Sequence, residues 1–254
     1  MRRAFVLFGA LVALAGCASA PERQAAEARR QQLIATHIQL GVGYYQAGQY
    51  EAARENFNKV LSVDADNAQA NNMLALIEFQ LKNYDKAEQY FRRALAASED
   101  DPELMNNFGV FLCERGKFDE AERWFKKAIA HPKYRYPEQA NLNAGVCLLK
   151  KPAPAEAERY LRAALAINPQ LAPALLHMAR ISYDSGRTLS ARGFIQRYLE
   201  VARESPELLW LAYKIERALG NKNEAASYAL KLKNRFPDSA EARELAQAGG
   251  AVTR

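Results

Sequence analysis

Apolar and small residues recur along this chain at three- and four-residue intervals, in blocks of about a dozen separated by short polar turns, which predicts amphipathic helices from end to end. The block from Ile34 to Asn67 holds two such helices. The first carries Leu40, Gly41 and Tyr44, the second Ala53, Phe57 and Val60, and Gly48 marks the turn between them. Helices this short need a neighbour against which to bury their apolar faces. Displacing the chain against itself supplies that neighbour. Gly41 falls on Ala75, Gly109, Gly145, Ala179 and Tyr213 in steps of 34 residues, except one of 36. Ala53 falls in the same way on Ala87, Ala121, Ala157, Ala191 and Ala225.

The spacing and residue types match the tetratricopeptide pattern, L-G-x-x-Y, then A-x-x-x-F, then Pro, so the chain from 34 to 237 resembles that repeat family. The pattern has a packing reason. A Gly or Ala on the first helix admits the second helix closely, the recurring alanine sits at the crossing, and Phe57, Phe91, Phe125, Leu161 and Ile195 fill the wider gaps. Gly48, Gly116, Gly186 and Gly220 occupy the turn, where a left-handed residue ends a helix; Lys82 and Pro152 are the departures. The expected fold is all-α: a right-handed superhelical solenoid of six tetratricopeptide (TPR) helix hairpins over 34–237. A polar capping helix from Asp238 to Ala248 and a tail then complete 238–254. Between repeats 3 and 4 the register gains two residues around His131 to Pro137, read as an elongated connection with surface aromatics Tyr134 and Tyr136.

Charge and the N-terminus refine the picture. The chain carries 35 basic and 29 acidic residues, net +6, and two of those charges lie in a leader expected to be removed. The remainder is ordinary solubility, with cations scattered beside glutamates on the second helices, so no nucleic-acid partner is expected. Residues 1–16 have the layout of a signal peptide, with Arg2 and Arg3, an apolar run from Ala4 to Ala15, then Leu14-Ala15-Gly16-Cys17. The run falls short of the roughly 20 apolar residues a spanning helix needs. Its last four residues resemble a bacterial lipobox, which implies a lipid on Cys17 and attachment to a membrane. Ala18 and Ser19, with no aspartate, follow Cys17, and in bacterial lipoproteins that implies sorting to the outer membrane. Residues 17–33 are polar and read as a lipidated tether, with helix an alternative toward its end, that reaches at most roughly 50 Å if extended.

Candidate chemistry is sparse. His37, His131 and His177 lie far apart with no ligand-spaced pair, so no metal is expected. There is no phosphate-cradling glycine loop and no nucleophile elbow, and acids such as Asp119-Glu120 sit where a helix dipole favours them. The reading is a protein without catalytic residues, cofactor or small-molecule substrate. What remains is a surface. In tetratricopeptide arrays the concave wall is made by positions 5, 9 and 12 of the first helices. Here these are Ile38, Val42 and Tyr45, then Asn72, Leu76 and Phe79, then Asn106, Val110 and Cys113. Ile38 and Val42 cannot clamp a terminal carboxylate, and the mostly apolar trough suits an amphipathic helix or strand instead. The other reading is that these side chains are covered by the tether or consumed by packing within the array.

Three runs carry a closer resemblance: Ile38 to Tyr45 (IQLGVGYY), Asn106 to Cys113 (NNFGVFLC) and Asn143 to Cys147 (NAGVC). They are similar to the type IV pilus biogenesis and stability lipoproteins, the PilF/PilW family, as are the lipobox, the six repeats and the length. Phe108 stands where the family has Tyr, and repeat 6 is weakly patterned. The resemblance implies a pilotin on the periplasmic face of the outer membrane that binds secretin subunits and helps them localise and form their ring. A general periplasmic scaffold lipoprotein that recruits peptidoglycan enzymes or β-barrel assembly partners would use the same anchor and array. Cys113 and Cys147 fall within the resembling runs, on the first helices of neighbouring repeats, and the resemblance together with an oxidising compartment favours a disulfide. Two separate buried thiols are the alternative, because positions 12 and 10 must bring their α-carbons within about 7 Å.

Overall fold

The computed structural model describes residues 20–151 and 154–250, so the leader, Cys17, Pro152 and the last four residues lie outside the described residues. The described residues form thirteen α-helices and no strand. They divide into two compact units, 1–97 and 98–254.

The first unit contains two hairpins, α1 (Ala20–Gln46) with α2 (Tyr50–Val63) and α3 (Ala68–Gln80) with α4 (Tyr84–Ala97). Their shared core is Phe57, Val60, Leu74 and Ile77, closed by Ala53 and Ala70. Gly41 is small for a steric reason, since a β-carbon there would stand 2.7 Å from the tip of the Phe57 ring. Asn67 caps α3 by accepting the amide of Ala70 at 3.0 Å. The turn into α4 is closed by Lys82, which takes at φ 61° the left-handed conformation that Gly48, Gly116, Gly186 and Gly220 take at their turns. Leu40 and Tyr44 are 45% and 37% exposed, whereas Leu74, one repeat on from Leu40, is fully buried beneath the first hairpin. Among the described residues nothing packs on that face of α1.

Helix within the polar segment extends further than its end, since α1 starts at Ala20 and runs without a break into the first repeat. As helix, the segment from Ala20 to Ile34 is about 20 Å long at 1.5 Å per residue, well within the extended upper bound. Arg30 fixes its direction by donating to the carbonyl of Val63 at 3.1 Å and approaching Asp64 at 3.9 Å, both at the end of α2.

The second unit stacks four hairpins: α5 (Pro102–Glu114) with α6 (Phe118–Ala130), α7 (Pro137–Leu148) with α8 (Pro154–Ile167), α9 (Ala172–Asp184) with α10 (Thr188–Val201), and α11 (Pro206–Ala218) with α12 (Lys222–Arg235). Prolines open α5, α7 and α11 at positions whose amide has no helical partner. Gly109 and Gly145 repeat the close approach, with added β-carbons 2.7 Å from Phe125 and Leu161. In the last hairpin the bulk is exchanged. Tyr213 replaces the small residue, Ala229 stands where the larger side chain stands elsewhere, and both lie against Leu209 and Leu232. The cap is α13 (Ala240–Gly250), which buries Ala242 and Leu245 on that same cluster and continues through Gly249 and Gly250.

The connection from 131 to 137 departs from expectation in one residue. Tyr136 is exposed, but Tyr134 is buried against Met105, Ala128 and Ala140. Burial, with Glu103, Glu138 and Asp101 nearby, pushes its hydroxyl up to about 12. The two inserted residues thus let the connection fold back and plug the junction.

Candidate functional site

The α1 row Ile38, Val42 and Tyr45 follows i, i+4, i+7 spacing, which places the three on one helical face. On α3, Leu76 and Phe79 are likewise one turn apart, and all five are half-buried. The three α1 residues rest on the Phe57–Leu74–Ile77 core, so their inner sides are packed and their outer sides form the surface. At the C-terminal ends of the two rows Gln80 lies near the Tyr45 hydroxyl and favours its ionised form. Burial and the nearby Tyr50 nevertheless hold the Tyr45 hydroxyl above its ordinary value of 10.

Each aromatic of this wall is braced by the first residue of its own hairpin's second helix. The Tyr45 and Tyr50 ring centroids lie 5.7 Å apart, and those of Phe79 and Tyr84 lie 6.2 Å apart, both tilted at 51°. Ring pairs of this geometry add attraction beyond burial and limit the positions each side chain can take. The wall therefore presents apolar anchors with little entropy left to lose, and no ionisable group except the tyrosine hydroxyl. It can accept an apolar face; it has no means to polarise a bond.

The wall does not continue unchanged into the third repeat. Val110 is half-buried on α5, in the second unit. Its neighbours at positions 5 and 12 are consumed internally. Asn106 accepts a hydrogen bond from the Asn143 amide at 3.0 Å, and Cys113 is joined to Cys147 with α-carbons 5.7 Å apart. The pair at positions 12 and 10 meets where α5 and α7 pack against one another.

Two of the three histidines are engaged in pairs: His37 Nδ1 lies 2.9 Å from Asn56 Oδ1, and His131 Nε2 lies 3.1 Å from Asp100 Oδ1. Among the described residues no three His, Cys, Asp or Glu side chains gather as metal ligands, and no helix is long and apolar enough to cross a membrane. Many surface cations meet carboxylates. Arg187 grips both oxygens of Glu158 at 3.0 and 2.6 Å, holding that carboxyl below its usual range together with Arg162. One surface escaped the repeat-position reading. The side of α1 bearing Leu40 and Tyr44 borders an open cavity of about 560 Å³, together with Gly43 and Ala47. The signal was present in the sequence, since Leu40 and Tyr44 are inter-repeat residues with no described hairpin before them.

Helix pairs at this spacing, crossed on small residues, define a tetratricopeptide repeat protein, and residues 38–102, 78–144, 148–214 and 208–239 match that repeat. The chain is 30% identical over 246 residues, 95% of its own length and 97% of the relative's, to the type IV pilus assembly protein PilF of Pseudomonas aeruginosa. The solved structure of Pseudomonas aeruginosa PilF is similar with a TM-score of 0.79 and 28% identity, over 86% of this chain and 99% of that one. The structure of PilW, described as a widely conserved type IV pilus biogenesis factor, gives 0.78 and 35%, over 84% and 98%. The chain belongs to the PilF/PilW family of tetratricopeptide repeat proteins.

Proposed function

We propose that this chain is a non-catalytic assembly factor for type IV pili that receives a secretin segment on the wall formed by α1 and α3. In this reading a lipid on Cys17 holds the chain to the periplasmic face of the outer membrane, and captured subunits are delivered there to multimerise. The observation that carries the reading is the wall itself: Ile38, Val42, Tyr45, Leu76 and Phe79, with both rings pre-braced. Family membership supports the pilus context, since the relatives are a type IV pilus assembly protein and a type IV pilus biogenesis factor. The helical segment from Ala20 supports a short, stiff spacing between anchor and wall. No cofactor is required, because apolar capture draws its free energy from surface removed from water.

Burying one aromatic contributes on the order of 2 kcal/mol, so losing two anchors weakens a complex by more than tenfold. Tyr45→Ser with Phe79→Ser is expected to keep its helical content at the assay temperature, with a lowered melting point because both rings are partly packed, while secretin multimers disappear from the outer membrane and monomers persist. Normal multimers in that variant would move the functional surface elsewhere, with exposed Tyr136 the next place to look. Cys17→Ser is expected to free the protein into the periplasm, and palmitate labelling that persists in Cys17→Ser would refute the anchor.

A further inference from the structure

The last two hairpins carry a second wall of different chemistry. Tyr183 on α9 and Trp210, Tyr213, Lys214, Arg217 and Ala218 on α11 enclose an open cavity of about 400 Å³. Positions 5, 9 and 12 of α11 are Trp210, Lys214 and Arg217, so this face corresponds to the apolar wall of the first unit but lies wholly within the second. The Trp210 and Tyr213 rings stack at 5.2 Å with planes 13° apart. Lys214 Nζ stands 5.4 Å from the Trp210 ring centre and 5.7 Å from that of Tyr183. The Arg217 guanidinium lies 5.8 Å from the Tyr213 ring and donates to its hydroxyl at 3.2 Å.

Neither cation has a carboxylate partner among the described residues. The acids of α11 are otherwise engaged: Glu207 is held by Arg180 at 2.7 Å, and buried Glu216 accepts from Asn221 at 2.6 Å. Cation–π contacts at partly exposed sites are weak, so Lys214 and Arg217 can turn to a stronger acceptor, and charge-assisted bonds to a carboxylate are about twice as strong as neutral ones. The lining consists of aromatic faces and donors, with tyrosine hydroxyls as its only side-chain acceptors. That suits a ligand that accepts hydrogen bonds, and suits poorly a sugar, whose hydroxyls must also donate.

We propose that this face binds an acidic peptide segment in which an apolar or aromatic side chain lies on the Trp210–Tyr213 platform while adjacent carboxylates pair with Lys214 and Arg217. The cavity has the size of a pocket for a few residues. The site is independent of the α1–α3 wall and does not rest on the identity of the partner proposed there.

The test uses the full chain with Trp124→Phe, so that Trp210 is the remaining indole, and titrates it with acetyl-Gly-Phe-Glu-Glu-Gly-amide while following fluorescence. Saturable quenching is expected, weakened about tenfold or more when both glutamates are glutamine or when Lys214→Gln and Arg217→Gln are combined, since each lost pair is charge-assisted. Tyr45→Ser with Phe79→Ser should leave this titration unchanged, which separates its failure from failure of the secretin reading. The proposal is overturned if the glutamine peptide binds equally well, if the cation-free variant retains full affinity, or if no quenching develops up to about 5 mM, where binding free energy falls near 3 kcal/mol. Saturation by muramyl dipeptide or inorganic phosphate at lower concentration than the peptide would equally overturn it, assigning the face to a glycan or a phosphate ligand.

Discussion

In the first unit, positions 5, 9 and 12 of the first helices carry Ile38, Val42 and Tyr45, then Asn72, Leu76 and Phe79; in the last two hairpins of the second unit they carry Leu176, Arg180 and Tyr183, then Trp210, Lys214 and Arg217. The frames beneath share the recurring alanine and the turn, with Ala53 and Ala225 buried at equivalent crossings and Gly48 and Gly220 left-handed at φ of 72° and 79°, while the last hairpin exchanges its bulk between Tyr213 and Ala229. Stability and recognition therefore sit on different positions of the same hairpin. A wall can be changed from apolar to cationic without disturbing the crossing that holds it. Frame substitutions should accordingly move stability and leave ligand preference alone, and wall substitutions should move ligand preference with a smaller loss of stability, since only their inner sides are packed.

The largest frame effect is expected in the second unit, which alone has a described cross-link. Cys113→Ser with Cys147→Ser should cost about 4 kcal/mol on the chain-entropy estimate for a loop of this length. Because repeat arrays need not melt as one transition, the loss is best read by hydrogen exchange: protection should fall in α5 and α7 and stay unchanged in α1 and α3. Equal losses in both units would show that they are one cooperative block and would erase the distinction between them.

Next in size is a pair of substitutions on α1. Gly41→Ala drives a β-carbon into the Phe57 ring and should cost about 1–3 kcal/mol. Gly43→Ala, two residues away with open space around it, should stabilise by about 0.5–1 kcal/mol through helix propensity. Thermal melts of the two variants with opposite signs would localise the constraint to the crossing. Smaller still, Lys82→Gly should stabilise by about 1 kcal/mol, because it removes the penalty of a side chain at φ 61°.

The regularity of the frame is what made it legible in the sequence. Six alanines in one register could be read without coordinates because each repeat solves one packing problem with one residue type. The exceptions were less visible because they depend on contacts between repeats. Tyr134 sits in a proline-flanked insertion that has no counterpart to compare, so its burial against Met105 and Ala140 could not be read from the period. The meeting of Cys113 and Cys147 depends on how α5 and α7 pack, which the register within each repeat does not specify. The polar run before Ile34 gave little amphipathic signal, and its helix is set by continuity with α1 and by Arg30 on Val63. The apolar wall was legible position by position, whereas the cationic wall falls in the last repeat, where Tyr213 breaks the pattern that marks positions 5, 9 and 12.

The smallest effect concerns His177, on α9 near the cationic wall. Burial lowers its imidazole below the ordinary value of 6.5; Glu207 opposes this and Arg180 adds to it. The fold thus prefers the neutral ring. Its contribution is fully present above pH 6.5 and is lost as pH falls through the lowered folded value, because the unfolded chain takes up the proton first. A pH series of melts should show a shallow decline below pH 6.5 that is flatter in His177→Gln, and identical slopes in the two proteins would remove His177 from the account.

The most direct test of capture on the first wall places a photo-cross-linking benzoylphenylalanine at Val42 or, in a second strain, at Trp210, and irradiates cells that are assembling pili. The account predicts a covalent adduct with the secretin subunit from position 42 and none from position 210. A secretin adduct from position 210 with none from position 42 would contradict it and would move capture to the cationic face.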